Sequence, residues 1–186
     1  MKLDLFSNKN DEFYTPAYAI EPILKYIPKN STIWCPFDTE ESLYVQIFKD
    51  RSHNVIATHI SNNQDFFTLD IQCDFIISNP PYSLKSEVFE HLFSLKKPFA
   101  MLVGVVGIFE SKKRFNLFEN NSFEIMYLNK RVSYFENYQD VKPLKNPPFS
   151  SVYLTSNMLP EKIIFEKINK HNITRNSIKQ HKFIFN

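Results

Sequence analysis

The stretch Asp74-Phe75-Ile76-Ile77-Ser78-Asn79-Pro80-Pro81-Tyr82 joins a short apolar run to an abrupt stop. Residues 74–78 predict a buried strand, because a continuous apolar run bounded by turn residues is typical of a strand covered on both faces. The two prolines cannot continue a central strand, and neither has an N–H to donate. At this point the chain therefore presents carbonyl oxygens, and the Asn79 side chain adds another.

Further strands and helices alternate along the rest of the chain. Strands are predicted at residues 31–36, 54–60, 65–69, 99–106, 123–128 and 152–156, and helices at 40–50, 84–95, 112–118 and 160–170. Thr15-Pro16 predicts a helix start, with Thr15 as N-cap and Pro16 at the first helical position. This alternation indicates βαβ units and a mostly parallel α/β sheet. Ligands of such sheets bind outside the carboxyl ends of the strands, near the switch point.

Composition limits the class of protein. The 186 residues, 43% of them hydrophobic, predict one domain over residues 1–186. The only glycines, Gly104 and Gly107, exclude a glycine-rich phosphate loop. The cysteines, Cys35 and Cys73, have no metal-ligand spacing and favour a reducing cytoplasmic location. Residues 1–6 do not read as a signal peptide, and the longest apolar run, residues 99–109, is too short to span a membrane. We therefore expect a soluble protein that binds neither metal nor membrane.

The Asn79–Tyr82 loop suits one kind of chemistry. Two acceptors that face one point can grip a planar –NH2 group, whose nitrogen is a poor nucleophile because its lone pair is delocalised. Hydrogen bonds to both of its protons favour pyramidal geometry and stabilise the charge that develops during attack. Tyr82 would offer a ring on which a base taken out of its helix can stack. The alternative interpretation is an ordinary proline-rich turn. The similar tetrapeptide Asn146-Pro147-Pro148-Phe149 follows a polar stretch, so we predict that it is only a loop.

With these residues in this order, the chain resembles the class I S-adenosylmethionine-dependent N6-adenine methyltransferases of the Asn-Pro-Pro-Tyr type, above all small phage-type adenine-specific enzymes. The resemblance covers about residues 11–165. Phe13-Tyr14-Thr15-Pro16 is similar to the motif at the methionine end of the cofactor, and Trp34–Asp38 to the first-strand motif. Gln64–Phe67 is similar to the segment whose acid contacts the cofactor adenine, and Asn79–Tyr82 to the catalytic motif.

The resemblance implies a Rossmann-like fold with a mostly parallel seven-stranded sheet and helices on both faces. It implies S-adenosylmethionine as cofactor and a catalytic loop of Asn79, Pro80, Pro81 and Tyr82. The cofactor-binding residues that it implies, together with the candidate substitutes for missing family residues, are Tyr14, Thr15, Pro16, Pro36, Phe37, Asp38, Glu40, His59, Asp65 and Phe66.

Two departures from the family pattern concern the cofactor. Residues 36–42 contain no glycine, although glycines there normally let the backbone approach the cofactor. The acid that usually holds the ribose at the end of the second strand is absent from residues 56–60. His59 could replace it, or Asp38 or Glu40 could hold the ribose or the methionine ammonium. His59 could equally be a structural residue at a strand end, and Asp65 an N-terminal cap.

Basic residues follow three of the predicted parallel strands, so we expect them on the rim that carries Asn79. They are Lys85, Lys112, Lys113, Arg114, Lys130 and Arg131. Such a rim would contact phosphates, although a solvated surface is the alternative interpretation. Lys96-Lys97 precedes a strand and should lie on the opposite edge.

These residues lead to an expected function, methyl transfer to the exocyclic N6 amine of adenine in DNA. RNA stays open, as does the glutamine side chain of a protein, which presents the same planar –NH2 group. A non-catalytic module that binds cofactor or nucleic acid, or inhibits host methylation or restriction, is the alternative from another class. Specificity would come from residues 136–149 or from a separate subunit, since a C-terminal helix and tail, residues 160–186, is too short for a recognition domain.

Overall fold

The computed structural model describes residues 13–136, 140 and 149–170, and its centre is one seven-stranded sheet. Its strands are β1 (Thr32–Cys35), β2 (Asn54–Ala57), β3 (Phe75–Ser78), β4 (Phe99–Gly104), β5 (Glu124–Leu128), β6 (Ser151–Ser156) and β7 (Ile163–Glu166). They are arranged in the order β2-β1-β3-β4-β6-β5-β7, in which only β6 runs antiparallel to its neighbours. The expected mostly parallel, seven-stranded sheet is confirmed.

Four helices cover the two faces of this sheet. They are α1 (Ala17–Leu24), α2 (Leu43–Asp50), α3 (Lys85–Leu95) and α4 (Lys112–Glu119). The buried side chains of α1 and α2 share one apolar cluster, which includes Ile20 and Phe48. Those of α3 and α4 share another, with Phe89 and Phe118. Each helix therefore buries one apolar stripe against its own side of the sheet.

The order of the strands creates a crevice at the carboxyl edge. From β1 the chain crosses to β2 on one side, and β3 then pairs with the other side of β1. This reversal of direction separates the loops that leave β1 and β3, as at the switch point of other doubly wound sheets. The loops after β1, β2 and β3 meet around that crevice.

The start of α1 differs from its prediction. The helix begins at Ala17, and Pro16 is the N-cap in an extended conformation, with no side-chain capping bond. Thr15 therefore precedes the N-cap by one residue, and its hydroxyl does not cap the helix.

Two segments were assigned to the wrong class of structure. Residues 65–69 form a turn and not a strand, because Asp65 accepts hydrogen bonds from the backbone of Phe67 and Thr68 and so closes the chain on itself. The predicted helix at 160–170 contains instead β7, which pairs in parallel with β5. Its isoleucines match helical spacing, but the run Ile163-Ile164-Phe165 is β-branched and aromatic and completes the sheet beside β5.

Candidate cofactor and amine site

A cavity of about 410 Å³ opens at the carboxyl ends of β1, β2 and β3. It is lined by Phe13, Tyr14, Thr15, Pro36, Phe37, Asp38, His59, Ile60, Gln64, Asp65, Phe66, Phe67, Asn79, Pro81 and Leu84. All four motifs that were read along the chain thus contribute to one wall or another. The lining combines five Phe and Tyr rings and four aliphatic or proline side chains with six polar ones, and a mainly apolar lining with some polar groups is typical of small-molecule sites.

Asn79 is oriented by the segment that precedes α1. Its Nδ2 donates a hydrogen bond to the carbonyl oxygen of Phe13, at 2.7 Å. A carbonyl can only accept, so this contact fixes which end of the amide is nitrogen. The opposite end, Oδ1, is buried and receives no hydrogen bond from the described residues. The side chain is therefore held with an unused acceptor.

The segment before α1 is tied to the far side of the sheet. Tyr14 exchanges two backbone hydrogen bonds with Phe135, at 3.0 and 2.9 Å. This bridge places the next residue, Thr15, in the wall of the cavity. The Thr15 hydroxyl oxygen is buried and has no hydrogen-bond partner among the described residues. A second polar group in the same cavity is thus available to a ligand.

Asp38 is the buried acid of the site. Its two carboxylate oxygens accept 2.5 Å hydrogen bonds from the hydroxyls of Ser42 and Ser78. Burial raises the pKa of this carboxyl to about 6, although both serines and the nearby His59 oppose the shift. Ser42 caps α2 and Ser78 ends β3, so Asp38 joins the ends of β1 and β3.

His59 and Asp65 face the cavity from the segment after β2. The backbone N–H of Ser61 donates to His59 Nδ1 at 3.2 Å, so the neutral ring carries its proton on Nε2 and can donate there. Asp65 accepts from the N–H of Phe67 through Oδ1, at 3.0 Å. Asp65 therefore does act as a local cap, and its other oxygen does not take part in that bond.

Phe66 supplies the aromatic floor of this end of the cavity. Its ring lies 4.9 Å from that of Phe37 and 4.8 Å from that of His91, measured between centroids. The ring is buried and also contacts Trp34 of β1. Phe66 is thus held rigidly by neighbours on β1 and α3.

Tyr82 does not line the cavity and is only 7% exposed. The rings of Phe13 and Phe149 each meet it edge to face, at centroid distances of 5.5 and 5.3 Å. Stacking of a base on this ring requires one of the two phenylalanines to move aside. The role of Tyr82 in base stacking stays a prediction.

Besides Tyr82, three residues predicted to act in catalysis or to bind the cofactor lie outside the cavity lining. Glu40 is exposed and pairs with Lys49 at 2.5 Å, which directs its carboxylate away from the cavity. Pro16 and Pro80 are buried and do not line the cavity. Of the tetrapeptide 146–149, only Phe149 lies within the described residues.

The basic residues all lie at the carboxyl edge, as expected from the strand directions. Three of them already form hydrogen bonds or ion pairs within the protein. Arg114 bonds the carbonyls of Gly107 and Ile108 and the hydroxyl of Ser86, so it holds α4 against α3. Lys113 pairs with Glu90. Lys85 donates to the carbonyl of Val106. Lys112, Lys130 and Arg131 are exposed.

Sequence reasoning missed several residues of the site. Ser42 and Ser78, which hold Asp38, had no motif to mark them. Ile60, Phe67 and Leu84 line the cavity as apolar neighbours of predicted residues. Phe149 packs on Tyr82 and against Gly104, where a Cβ would come within 3.0 Å of its ring. A glycine at the end of a buried strand was the one available signal for that contact.

Neither a protein-family model nor a curated protein matches this sequence. Similarity is found among solved structures. A modification subunit assigned to a type I restriction enzyme from Vibrio vulnificus YJ016 superimposes with a TM-score of 0.52 at 12% identity over 88% of this chain. The chain spans 49% of that subunit's length. At this identity the match reports on the fold. The chain has a Rossmann-like methyltransferase fold.

Two further solved methyltransferases match more loosely. A protein from Listeria monocytogenes that is assigned to the class I S-adenosylmethionine-dependent methyltransferases gives a TM-score of 0.47 at 13% identity, covering 96% of this chain and 72% of its own. A precorrin-6y C5,15-methyltransferase from Geobacter metallireducens GS-15 gives 0.40 at 8% identity, covering 74% and 84%.

The described residues include neither a membrane-spanning helix nor a candidate metal-binding group. None of the helices there is both long and apolar enough to cross a bilayer. Nor does that part of the chain gather three or more His, Cys, Asp or Glu side chains into a group that could hold a metal ion.

Proposed function

We propose that this chain binds S-adenosylmethionine in the cavity and methylates the exocyclic N6 amine of adenine in DNA. The observation that carries the proposal is the convergence of four separate chain segments on one cavity with Asn79 at its side. Two buried oxygens of this site, Thr15 Oγ1 and Asn79 Oδ1, have no partner among the described residues. Buried polar atoms without partners are rare and point to a ligand.

The cavity suits a nucleoside that carries a charged amino-acid tail. Its volume lies in the range of small-molecule sites, and its aromatic rings suit both a purine and a sulfonium cation. Tyr14 and Thr15 would hold the methionine end, Asp38 and His59 the polar middle, and Asp65 and Phe66 the adenine. When bound, S-adenosylmethionine supplies an electrophilic methyl group.

The chain's own part in the reaction is to hold the acceptor amine. Asn79 Oδ1 and the carbonyl oxygen of Pro80 would accept hydrogen bonds from its two N–H groups and stabilise the positive charge that develops on nitrogen. After the methyl group is transferred, the nitrogen releases one of these protons to solvent. The 2.7 Å bond to Phe13 keeps the amide from rotating, so the acceptor is placed before the substrate arrives. Positioning then supplies much of the rate.

DNA as substrate is supported by the exposed Lys112 and Lys130 on the edge that carries Asn79. The described residues include no separate recognition domain. We therefore assign sequence specificity to another subunit or to the residues between 136 and 149. The structure from Vibrio vulnificus that shares this fold is described as a modification subunit of a type I restriction enzyme, which is consistent with such a division of labour.

Calorimetry with S-adenosylmethionine tests the assignment of the cavity. Asp65→Asn keeps the oxygen that caps Phe67 but replaces the other one by a donor, so we expect weaker cofactor binding from a folded protein. Glu40→Gln is the control, because the Glu40 carboxylate faces Lys49 and the solvent. Loss of binding in Glu40→Gln with normal binding in Asp65→Asn would place the cofactor elsewhere.

A further inference from the structure

The outermost strand, β7, leaves large apolar side chains in solvent. Phe165 is 79% exposed and Ile163 53% exposed. Both lie on the same face, and Phe165 stacks on Tyr127 of β5 with 5.7 Å between the ring centroids. No helix of the described residues covers this face. An exposed apolar edge strand is a site of pairing with another chain unless something blunts it.

The free edge of β7 also offers unused backbone groups at defined residues. The carbonyls of Lys162 and Glu166 accept from the N–H groups of Ile125 and Asn129, so the even-numbered residues face β5. Because the two sides of a strand alternate, the N–H and C=O groups of Ile163 and Phe165 point outward. No other strand of the described residues pairs with them.

We propose that two copies of this chain pair antiparallel through β7, about a two-fold axis at Ile164. Ile163 of one copy then lies opposite Phe165 of the other, and these are the residues whose backbone groups face outward, so each such pair can exchange two hydrogen bonds. The same register sets Glu161 opposite Lys167 and Lys162 opposite Glu166 of the second copy. Apolar residues meet apolar ones, and Glu161 and Lys167 meet opposite charges, whereas Glu166 is already paired with Lys25 of its own copy.

The neighbouring registers are worse for identifiable reasons. Shifting the axis by one residue toward Ile163 places Glu161 opposite Phe165, and shifting it toward Phe165 places Lys167 opposite Ile163. Placing the axis between two neighbouring residues would pair residues that face outward with residues that face β5, and such pairs cannot exchange hydrogen bonds. Glu161 and Lys167 are both exposed and make no ion pair within the described residues. A second copy is therefore the occupant that this edge matches best.

Sedimentation of the full chain at increasing concentration tests the pairing. We expect a reversible monomer–dimer equilibrium. Glu161→Lys and Lys167→Glu each create two like-charge contacts per dimer and should weaken it about tenfold. The double variant E161K/K167E restores opposite charges in the same register and should recover the dimer. Such recovery distinguishes this register from general surface attraction.

A backbone variant supplies the second test. Ile163→Pro removes an N–H that faces outward and leaves the bonds to β5 in place, so the protein should stay folded by circular dichroism but become monomeric. Wild-type protein that is monomeric at every concentration would overturn the proposal. So would a dimer that Ile163→Pro leaves intact, or one that the double charge variant fails to recover.

Discussion

At the scale of single residues, Asn79 and Asp38 differ in how many of their side-chain oxygens accept hydrogen bonds within the protein. The amide of Asn79 is held by one hydrogen bond and keeps an unused acceptor, whereas both carboxylate oxygens of Asp38 are engaged by serines. We therefore expect Asn79 to act on a substrate group and Asp38 to act first on the structure of the site. Each expectation can be tested with a single substitution.

Asn79→Ala removes the acceptor together with the hydrogen bond to the Phe13 carbonyl, and it leaves the side chains proposed to hold the cofactor unchanged. We expect methyl transfer to fall about a hundredfold or more, as on loss of one preorganised polar contact, while cofactor affinity is largely kept. Single-turnover assays and calorimetry measure the two effects separately. Asn146→Ala, in the similar tetrapeptide, is the matched control. If the control lost activity and Asn79→Ala did not, the acceptor amine would be held by residues 146–149 and not by residues 79–82.

Asp38→Asn separates burial of charge from cofactor binding. The pKa of Asp38 is raised from 3.8 to about 6, so the folded protein binds this proton more tightly than the unfolded chain does. The stabilisation of the folded state that results is present at low pH and is lost as pH rises through that interval. The substitution should therefore stabilise the protein relative to wild type as pH increases from 4 to 8, by up to about 3 kcal/mol. Urea unfolding at several pH values measures this difference. A constant difference between the two proteins across that range would mean that Asp38 does not titrate abnormally.

At the scale of secondary-structure elements, Ser42 serves two structures at once. Its oxygen accepts from the N–H of Tyr44 at the start of α2, and its hydroxyl donates to Asp38. Among the described residues, Ser111 has only the first function, accepting from the N–H of Arg114 at the start of α4. The two serines form a natural comparison.

Ser42→Ala should destabilise the protein more than Ser111→Ala. Loss of an N-cap costs about 0.5–2 kcal/mol, and only Ser42→Ala also deprives a buried carboxylate of a donor. Chemical unfolding of both variants gives the difference. Equal losses would show that the bond to Asp38 contributes nothing measurable to stability.

The elements also show where sequence patterns suffice. The strand at 75–78 and the helix at 85–95 were predicted nearly to the residue, because two prolines end the apolar run and the stripe of Val88, Leu92 and Leu95 repeats over the length of the helix. Residues 160–170 were not, since Ile163, Ile164 and Ile168 satisfy helical spacing while pairing with β5 decides the outcome. Residues 65–69 failed for a local reason, the turn that the Asp65 carboxylate closes.

At the scale of the whole molecule, the direction of the strands sorts the charged residues. Lys112 and Lys130 follow β4 and β5 and share the edge that carries Asn79, whereas Lys29 and Lys96 precede β1 and β4 on the opposite edge. All four are exposed. Lys97, which also precedes β4, pairs with Asp70 and is a poor control.

Charge reversal at Lys112 and Lys130 together should weaken DNA binding about equally across sequences. The slope of log affinity against log salt should fall by about 1 for each phosphate contact that is lost. The matched control reverses Lys29 and Lys96 and should do little. Fluorescence anisotropy over a salt series measures both. Equal losses from the two pairs would mean that binding is diffuse.

The residues that line the cavity could be predicted better than the contacts that hold them in place. Motif order and the carboxyl-edge rule brought ten predicted residues into the cavity lining: Tyr14, Thr15, Pro36, Phe37, Asp38, His59, Asp65, Phe66, Asn79 and Pro81. The serines that hold Asp38 and the rings that enclose Tyr82 could not be foreseen, because such contacts join residues far apart in the chain. Only the packing of complete elements decides them.

The measurement that tests the central claim most directly is incubation of the full chain with methyl-labelled S-adenosylmethionine and DNA, RNA or protein. Mass analysis of the nucleosides and amino acids then identifies the product. We expect label in N6-methyladenine from DNA, and its loss with Asn79→Ala. Label in protein glutamine would contradict the choice of substrate. The absence of any transfer, together with no detectable binding of millimolar cofactor by folded protein, would contradict the methyltransferase function itself.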